Sequence, residues 1–397
     1  MSSPKLYTLG IRLKSLAIFR SLLDDPVIEA LCQYLESTGA DNSPESVSRY
    51  AQFVSCLYGT EKRTLAGYIQ SITGCDENAY IRIIGRGAKA WPELEEDLRA
   101  ELEVLQAVAD LTPETLREGL DWDGYLPKFA VKKLDIAESY RERCSNIGRL
   151  GYGIYAKYHM FYLNPQGKIV PVKNPDGTRL SSLIDYRREQ QIILDNTMAL
   201  LEGKPAANIL LTGDAGTGKS STVKAVVNEL HDLGLRILEV RKEQLHQIPE
   251  ILDELNANPL KFILFIDDLS FQRDDDNFSA LKAILEGSVS ARAQNVVIYA
   301  TSNRRHLVKE TFSDREGDDI HRNDTMQEII SLSERFGIQI TFQKPSKQTY
   351  LDIVHHLAAQ QGIEMDPAQL DMLAERFVLS RGGRSARAAR QFVDSLR

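Results

Sequence analysis

The sequence predicts an α/β protein with a mostly helical N-terminal domain, a five-stranded parallel sheet and a C-terminal helical lid. Up to about residue 120, apolar residues recur at three- and four-residue spacing, which is typical of helices. From Leu183 onward, short apolar runs alternate with helical segments, as in parallel strands that helices cover on both faces. After Pro345 no further strand is predicted, and helical segments complete the chain.

The N-terminal part shows its helical spacing most clearly just before residue 112. The periodic apolar positions there are Leu102, Val104, Leu105, Val108 and Leu111. Thr112 and Pro113 then predict the start of another helix, because Thr is a favoured N-cap and Pro is favoured in the first turn.

A domain boundary is indicated by two turn-forming sequences at 164–167 and 174–177, which flank a short strand-like segment. Three domains are therefore predicted: a helical domain at 1–165 that could recruit a partner, a core at 166–344 and a lid at 345–397.

Five strands and three lid helices are predicted in the C-terminal half. The strands are Asn208–Thr212, Arg236–Val240, Phe262–Ile266, Val296–Thr301 and Ile338–Phe342. The lid helices are Gln348–Gln360, Pro367–Arg376 and Ser385–Leu396.

Composition and charge exclude several classes of protein. The 43% hydrophobic and 26% charged residues are ordinary for a globular chain, and the net charge of −8 opposes non-specific binding to nucleic acid or anionic lipid. The four cysteines show no CxxC spacing, which argues against a disulfide framework or a zinc site. Arg12, Lys14 and Arg20 interrupt any apolar leader, and no apolar run could span a bilayer. We therefore expect a cytoplasmic protein that does not contact a membrane.

The strongest chemical signal is a glycine-rich segment between a predicted strand and a predicted helix. Its residues are Gly213, Asp214, Ala215, Gly216, Thr217, Gly218, Lys219 and Ser220, and Ser221 follows in the helix. Such a loop turns successive backbone N–H groups toward phosphate oxygens, and the helix N-terminus adds a favourable dipole. Lys219 would bind the β- and γ-phosphates, and the Ser220 hydroxyl would coordinate Mg²⁺. The segment predicts a P-loop NTPase fold that binds ATP with Mg²⁺.

Two acids end the apolar strand Phe262–Ile266, about fifty residues after the P-loop. Charged pairs at the end of an apolar strand are costly unless a ligand there needs them. Asp267 would hold Mg²⁺ through its water shell, and Asp268 could orient the attacking water.

Three further residues are weaker candidates by themselves. Asn303 follows the strand Val296–Thr301 and could bond the γ-phosphate or the attacking water, although a turn-forming role fits it better in isolation. Arg335 precedes the last strand, and Arg387 begins the final helix. Either arginine could equally be an exposed surface residue.

The order of these elements resembles the AAA+ ATPases, in which they are called Walker A, Walker B, sensor 1, arginine finger and sensor 2. The sequence is most similar to an uncharacterised bacterial group of AAA+ ATP-binding proteins, a domain family of unknown function. The resemblance covers roughly residues 120–397. Its segments are 183–186, 203–206, 267–271, 300–305 and 330–337.

The resemblance implies a role for each candidate. Asn303 would be sensor 1, Arg335 the finger that reaches a neighbouring subunit of a homo-oligomer, and Arg387 the lid arginine on the γ-phosphate. Arg384 is a second claimant to the lid role. The adenine pocket would be lined by Leu183, Ile184 and Tyr186.

One departure from the AAA+ pattern leaves the function open. Most members have Glu where this chain has Asp268, whose carboxylate is one methylene shorter. Three functions remain: an ATPase that remodels an unknown protein or nucleoprotein client, a helicase-loader-like DNA-associated ATPase, and an ATP-dependent switch with little hydrolysis. The negative net charge weighs against the DNA-associated ATPase.

Overall fold

The structure is a computed structural model that describes residues 4–38, 43–269, 276–286, 294–303, 334–379 and 383–396. The chain divides into two compact units, Met1–Lys157 and Tyr158–Arg397. The separation of a core at 166–344 from a lid at 345–397 stays a prediction.

The first unit is helical in its described residues. Its α-helices are Pro4–Lys14, Pro26–Ser37, Ser43–Tyr58, Leu65–Cys75, Ala79–Gly85, Pro92–Ala109, Pro113–Arg117, Ile136–Ser145, Ile147–Leu150 and Ile154–Lys157. The predicted helix start at Thr112 is confirmed, since the Thr112 side chain accepts a hydrogen bond from Thr115 N and Pro113 begins the helix. The periodic apolar side chains from Leu102 to Leu111 are buried in one core.

The second unit contains a sheet of seven described strands. They are β1 Met160–Leu163, β2 Ile169–Pro171, β3 Ile209–Gly213, β4 Leu235–Val240, β5 Lys261–Ile266, β6 Val296–Ser302 and β7 Ile338–Phe342. Their order across the sheet is β2-β1-β4-β5-β6-β3-β7. β1 and β2 are antiparallel, and every other neighbouring pair is parallel.

The five predicted strands are confirmed, with bounds that differ by at most one residue at either end. The predicted total of five is wrong, because β1 and β2 extend the sheet beyond β4. The short strand β1 lies within 1–165, the range predicted to be a helical domain. It pairs with β4 through Met160 opposite Ile237, so its backbone hydrogen bonds belong to the second unit.

Several helices pack against this sheet, and further helices follow it in the chain. The α-helices of the second unit are Arg187–Leu201, Lys219–Leu230, Ile248–Asn256, Asp276–Glu286, Lys347–Gln360, Pro367–Leu379 and Ala386–Asp394. The last three form the predicted lid and bury a hydrophobic core of their own around Tyr350, Ala374 and Phe392. In the described ranges, every helix is too short or too polar to cross a lipid bilayer.

The topology determines where the polar strand ends meet. β5, β6 and β3 are consecutive parallel neighbours, so their carboxyl ends lie at one edge of the sheet. Gly213, Ile266 and Ser302 end these strands. Ligands of open parallel sheets bind at this edge. The residues that follow each of these strands are therefore candidates for contact with a ligand.

Candidate nucleotide-binding site

The loop after β3 has a backbone that requires glycine. Gly213, Gly216 and Gly218 have φ values of 139°, 80° and 94°, which side chains rarely adopt. A Cβ at Gly213 would also lie 2.1 Å from the carbonyl oxygen of Phe342 in β7. The helix begins at Lys219, and its N-cap Gly218 supplies no side-chain acceptor. The free N–H groups of the first turn therefore face the loop and can bind an anion.

Lys219 is 5% exposed and lies under this loop. Its Nζ donates hydrogen bonds to the carbonyl oxygens of Gly213 at 2.8 Å and Asp214 at 2.9 Å, and to Asn303 Oδ1 at 3.0 Å. Burial lowers the pKa of Lys219, while the carboxylates of Asp267 and other nearby acids act in the opposite direction. The loop thus holds a cation beneath the position where its N–H groups would bind phosphate.

Asp267 follows β5 and is bonded by two hydroxyl groups. Ser220 Oγ donates to Asp267 Oδ1 at 2.6 Å, and Thr301 Oγ1 donates to the same oxygen at 2.5 Å. Ser220 is in the first turn of the helix after the loop, and Thr301 is in β6. The two predicted metal ligands are therefore in contact. Thr301 was not among the site residues predicted from the sequence, although it stands two residues before Asn303.

Asp268 has a left-handed backbone, with φ of 55°. Its N–H donates to Thr301 Oγ1 at 2.9 Å, and its carboxylate Oδ1 accepts a hydrogen bond from Asn303 Nδ2 at 2.6 Å. Asn303 therefore joins Asp268 to Lys219 through the two ends of one amide. Such a bridge is possible because β6 lies between β5 and β3.

Ile184 and Tyr186 stand in the segment before the helix Arg187–Leu201. Ile184 packs against the lid core, whereas Tyr186 packs against the core beneath the sheet. The Tyr186 ring lies 4.8 Å from that of Phe342, and its hydroxyl donates to the carbonyl oxygen of Gln343. Asp185 and Tyr186 both have positive φ, so the chain turns sharply between the two cores. Burial raises the pKa of Tyr186.

The two lid arginines have different surroundings. Arg384 forms two hydrogen bonds with the Glu375 carboxylate, at 2.9 and 2.7 Å, within the lid. Arg387 instead lines the cavity beside the P-loop, and its backbone N–H donates to the carbonyl oxygen of Gly216 at 3.4 Å. A Cβ at Gly216 would lie 3.1 Å from Arg387 Cβ, so this glycine lets the lid approach the loop closely. The surroundings favour Arg387 over Arg384 as the arginine that faces a ligand.

Arg335 is not among the described residues that line this cavity. It precedes β7, which runs parallel to β3 with Ile338 opposite Ile209. The start of β7 therefore lies at the edge of the sheet opposite the P-loop, and Arg335 is near that edge. Of the other segments in the family resemblance, 270–271, 304–305 and 330–333 lie outside the described residues.

One cavity of about 420 Å³ unites most of the predicted site. From the sequence prediction it includes Ala215, Gly216, Thr217, Gly218, Lys219, Ser220, Ser221, Asp267, Asp268, Asn303, Leu183, Ile184, Tyr186 and Arg387. Gly213 and Asp214 line an adjoining cavity with Asn303. Residues that the sequence analysis missed also line the main cavity: Thr178, Ser182, Gln190, Thr222, Thr301, Ile353, Leu357, Ala386 and Arg390. A sequence signal for some of them exists. Ile353 and Leu357 are four residues apart on one helix, and Arg387 and Arg390 are three apart on another, so the members of each pair lie on the same helix face.

The donor set suits Mg²⁺ held together with phosphate. Within the described ranges, no group of three His, Cys, Asp or Glu side chains could hold a metal without other ligands. Mg²⁺ in nucleotide sites uses one or two carboxylates, substrate phosphates and water. The touching oxygens of Ser220 and Asp267 beside the P-loop match that requirement.

Comparison with solved structures gives distant similarities. The RuvB Holliday junction branch migration motor of Thermotoga maritima is 18% identical, with a TM-score of 0.37 over 54% of this chain. The FIGL-1 AAA domain in complex with ADP is 16% identical, with a TM-score of 0.36 over 55% of this chain and 72% of that chain. This chain spans only 63% of the RuvB chain that it matches. Neither similarity is close enough to indicate an activity.

Comparison with curated proteins gives no match. One family model matches residues 156–397, which is more than half of the chain. The match begins two residues before the second unit, later than the expected start near residue 120. It confirms the resemblance to an uncharacterised family. The second unit carries the predicted P-loop between β3 and the helix Lys219–Leu230 of an α/β fold. The chain belongs to the family described as protein of unknown function (DUF815).

Proposed function

We propose that this chain binds ATP with Mg²⁺ and hydrolyses it to ADP and phosphate. One observation carries the proposal: the P-loop, the acidic end of β5, the amide after β6 and a lid arginine all line one cavity. Each supplies a group that phosphoryl transfer requires, namely anion-binding N–H groups, cations, metal ligands and a polar group for water.

ATP would bind with its phosphates in the P-loop. Lys219 is already surrounded by acceptors, two of them main-chain carbonyls of the loop itself. Exchanging these for phosphate oxygens would convert neutral acceptors into charged ones, which strengthens the hydrogen bonds. Ser220 and Asp267 would hold Mg²⁺, which neutralises charge that develops on the phosphates when it is bound.

Asp268 and Asn303 would act on the attacking water. Asp268 supplies a carboxylate, and Asn303 holds it at 2.6 Å. Arg387 would stabilise the γ-phosphate from the lid, since it lines the same cavity on the side of the lid helices. We assign the adenine to the wall formed by Ile184 and Tyr186 together with Ile353 and Leu357.

Hydrolysis would require a second copy of the chain. Arg335 lies toward the edge of the sheet away from its own P-loop, so it would serve the γ-phosphate of a neighbouring subunit. An arginine supplied in this way stabilises the charge of the transition state. The assembly would be a homo-oligomer that remodels a protein or nucleoprotein client, with the helical first unit recruiting that client.

A second candidate is an ATP-dependent switch with slow hydrolysis. Asp268 is shorter than the usual Glu, and its carboxylate is already bonded to Asn303. A carboxylate set back by one methylene would be poorly placed to accept a proton from the attacking water. A DNA-associated role is less favoured, because the chain has a net charge of −8.

Two measurements test the proposal together. Mg-ATP should raise the melting temperature of the full chain, and the rate of phosphate release per subunit should rise with protein concentration. Stabilisation without phosphate release would support the switch. No stabilisation by ATP, ADP or other nucleoside triphosphates at millimolar concentration would refute both candidates.

A further inference from the structure

Thr301 contacts three successive residues at the end of β5. Its hydroxyl donates to Asp267 Oδ1 at 2.5 Å and accepts from the Asp268 N–H at 2.9 Å. Its carbonyl oxygen accepts from the Leu269 N–H at 2.7 Å. The Thr301 residue is only 2% exposed. A single buried residue of β6 thus holds the whole turn that carries both acids.

The hydroxyl of Thr301 both donates and accepts a hydrogen bond. It satisfies the carboxylate as a donor, and it satisfies the backbone amide of Asp268 as an acceptor. The same Asp267 oxygen also accepts from Ser220 Oγ at 2.6 Å. Both donors bond to Oδ1, so they fix the plane and the orientation of the carboxylate before any ligand arrives.

Orientation of a metal-binding carboxylate affects the affinity for the metal. Hydrogen-bonding partners of ligands pre-orient them, and their loss typically lowers metal affinity by about 10- to 100-fold. When Mg²⁺ binds, the Ser220 oxygen becomes one of its ligands in the proposed function. Thr301 would then still donate its hydrogen bond to Asp267, because the pairing of β6 with β5 keeps the two residues together.

We propose that Thr301 is a positioning residue for Mg²⁺: its hydroxyl orients the Asp267 carboxylate and holds the turn at Asp268. This inference rests on the proposed binding of nucleotide with Mg²⁺. It assigns a specific task to a side chain that would not itself contact the metal or the phosphates.

The test measures Mg²⁺ dependence separately from nucleotide binding. A fluorescent ADP analogue is titrated into the full chain, first in EDTA and then at increasing MgCl₂. Thr301→Val keeps the shape and removes the hydroxyl. In EDTA it should bind the analogue within about twofold of the unmodified protein, whereas the Mg²⁺ concentration at half-saturation should rise by about tenfold or more. Thr301→Ser retains the hydroxyl and should restore most of the Mg²⁺ affinity.

Thr197→Val is the matched control. Thr197 is a fully buried threonine in the helix Arg187–Leu201, and its hydroxyl bonds to the carbonyl oxygen of Ile193. Its substitution should lower stability without changing the Mg²⁺ requirement. If Thr301→Val does not fold, Thr301→Ser and Thr301→Ala give the comparison, since they differ only in the hydroxyl.

An unchanged Mg²⁺ requirement in the variants that lack the hydroxyl would overturn the inference, as would an equal loss of binding in EDTA. Results obtained with the unmodified protein test the proposed function instead. If the unmodified protein binds no nucleotide, or binds it without any effect of Mg²⁺, the proposed function itself is wrong.

Discussion

Asn303 donates a hydrogen bond from its side-chain amide to the Asp268 carboxylate at 2.6 Å. The carbonyl end of the same amide accepts from the Lys219 ammonium at 3.0 Å. The residue that would help to position water is therefore tied to the residue that would bind phosphate. Any ligand that draws Lys219 toward itself removes one of the two bonds that orient Asn303.

Asp268→Asn should slow hydrolysis while leaving the affinity for ATP nearly unchanged. A group that accepts a proton in the transition state typically contributes about 10²–10⁴-fold to the rate. We expect phosphate release to fall by about 10²-fold, and titration with a fluorescent ATP analogue to give the same dissociation constant. Asp268→Glu should be at least as active as the unmodified protein. If Asp268→Asn weakens binding as much as Asp267→Asn does, the assigned role is wrong.

Lys219→Ala should abolish stabilisation by Mg-ATP. A ligand at about 100 times its dissociation constant stabilises a protein by ~2.7 kcal/mol, so the unmodified chain should melt several degrees higher with Mg-ATP. Lys261→Ala is a matched control, because burial also lowers the pKa of Lys261, which starts β5 at the opposite edge of the sheet. Equal thermal shifts in the two variants would contradict the P-loop assignment.

Arg335→Ala should bind ATP normally but hydrolyse it slowly, because the arginine would act on a neighbouring subunit. Arginines with this role contribute about 10³–10⁵-fold in related enzymes. Mixing Arg335→Ala with Lys219→Ala should restore part of the phosphate release, since a mixed interface joins an intact P-loop to an intact arginine. Mixing Lys219→Ala with the double variant should restore none. An active Arg335→Ala, with turnover independent of protein concentration, would eliminate the oligomeric mechanism.

Substitutions of the two lid arginines should have different effects: one on nucleotide binding or hydrolysis, the other on stability. Arg387→Ala should weaken ATP binding or slow its hydrolysis with little effect on the melting temperature of the free protein. Arg384→Ala breaks the partly exposed pair with Glu375, so it should lower the melting temperature of the free protein only slightly, because exposed ion pairs contribute little to stability. Glu375→Gln should reproduce the effect of Arg384→Ala. Loss of nucleotide binding in Arg384→Ala alone would reverse this assignment.

The sequence was sufficient to predict those parts of the fold and site that depend on residues close together in the chain. The three P-loop glycines predict their own backbone conformation. The apolar runs predict β3 to β6, because those strands are buried along nearly their whole length, whereas β7 alternates buried and exposed residues. β1 was missed because it has only four residues and joins the main sheet by pairing with β4, which lies far away in sequence; its other partner is the three-residue strand β2. Thr301 was missed for the same reason, since its contact with Asp267 depends on the register of β6 against β5. The choice between Arg384 and Arg387 depends on the position of Glu375 within the lid.

Ile184 and Tyr186 are two residues apart, yet one packs into the lid and the other into the sheet. A base bound against both would therefore have an affinity that depends on how the lid is oriented. Thermodynamic linkage makes that dependence reciprocal: a client that binds the lid in one orientation would change nucleotide affinity by the same factor as nucleotide changes client affinity. Through the bend between Ile184 and Tyr186, binding of a base would then change the orientation of the lid and so the affinity of the lid for its client.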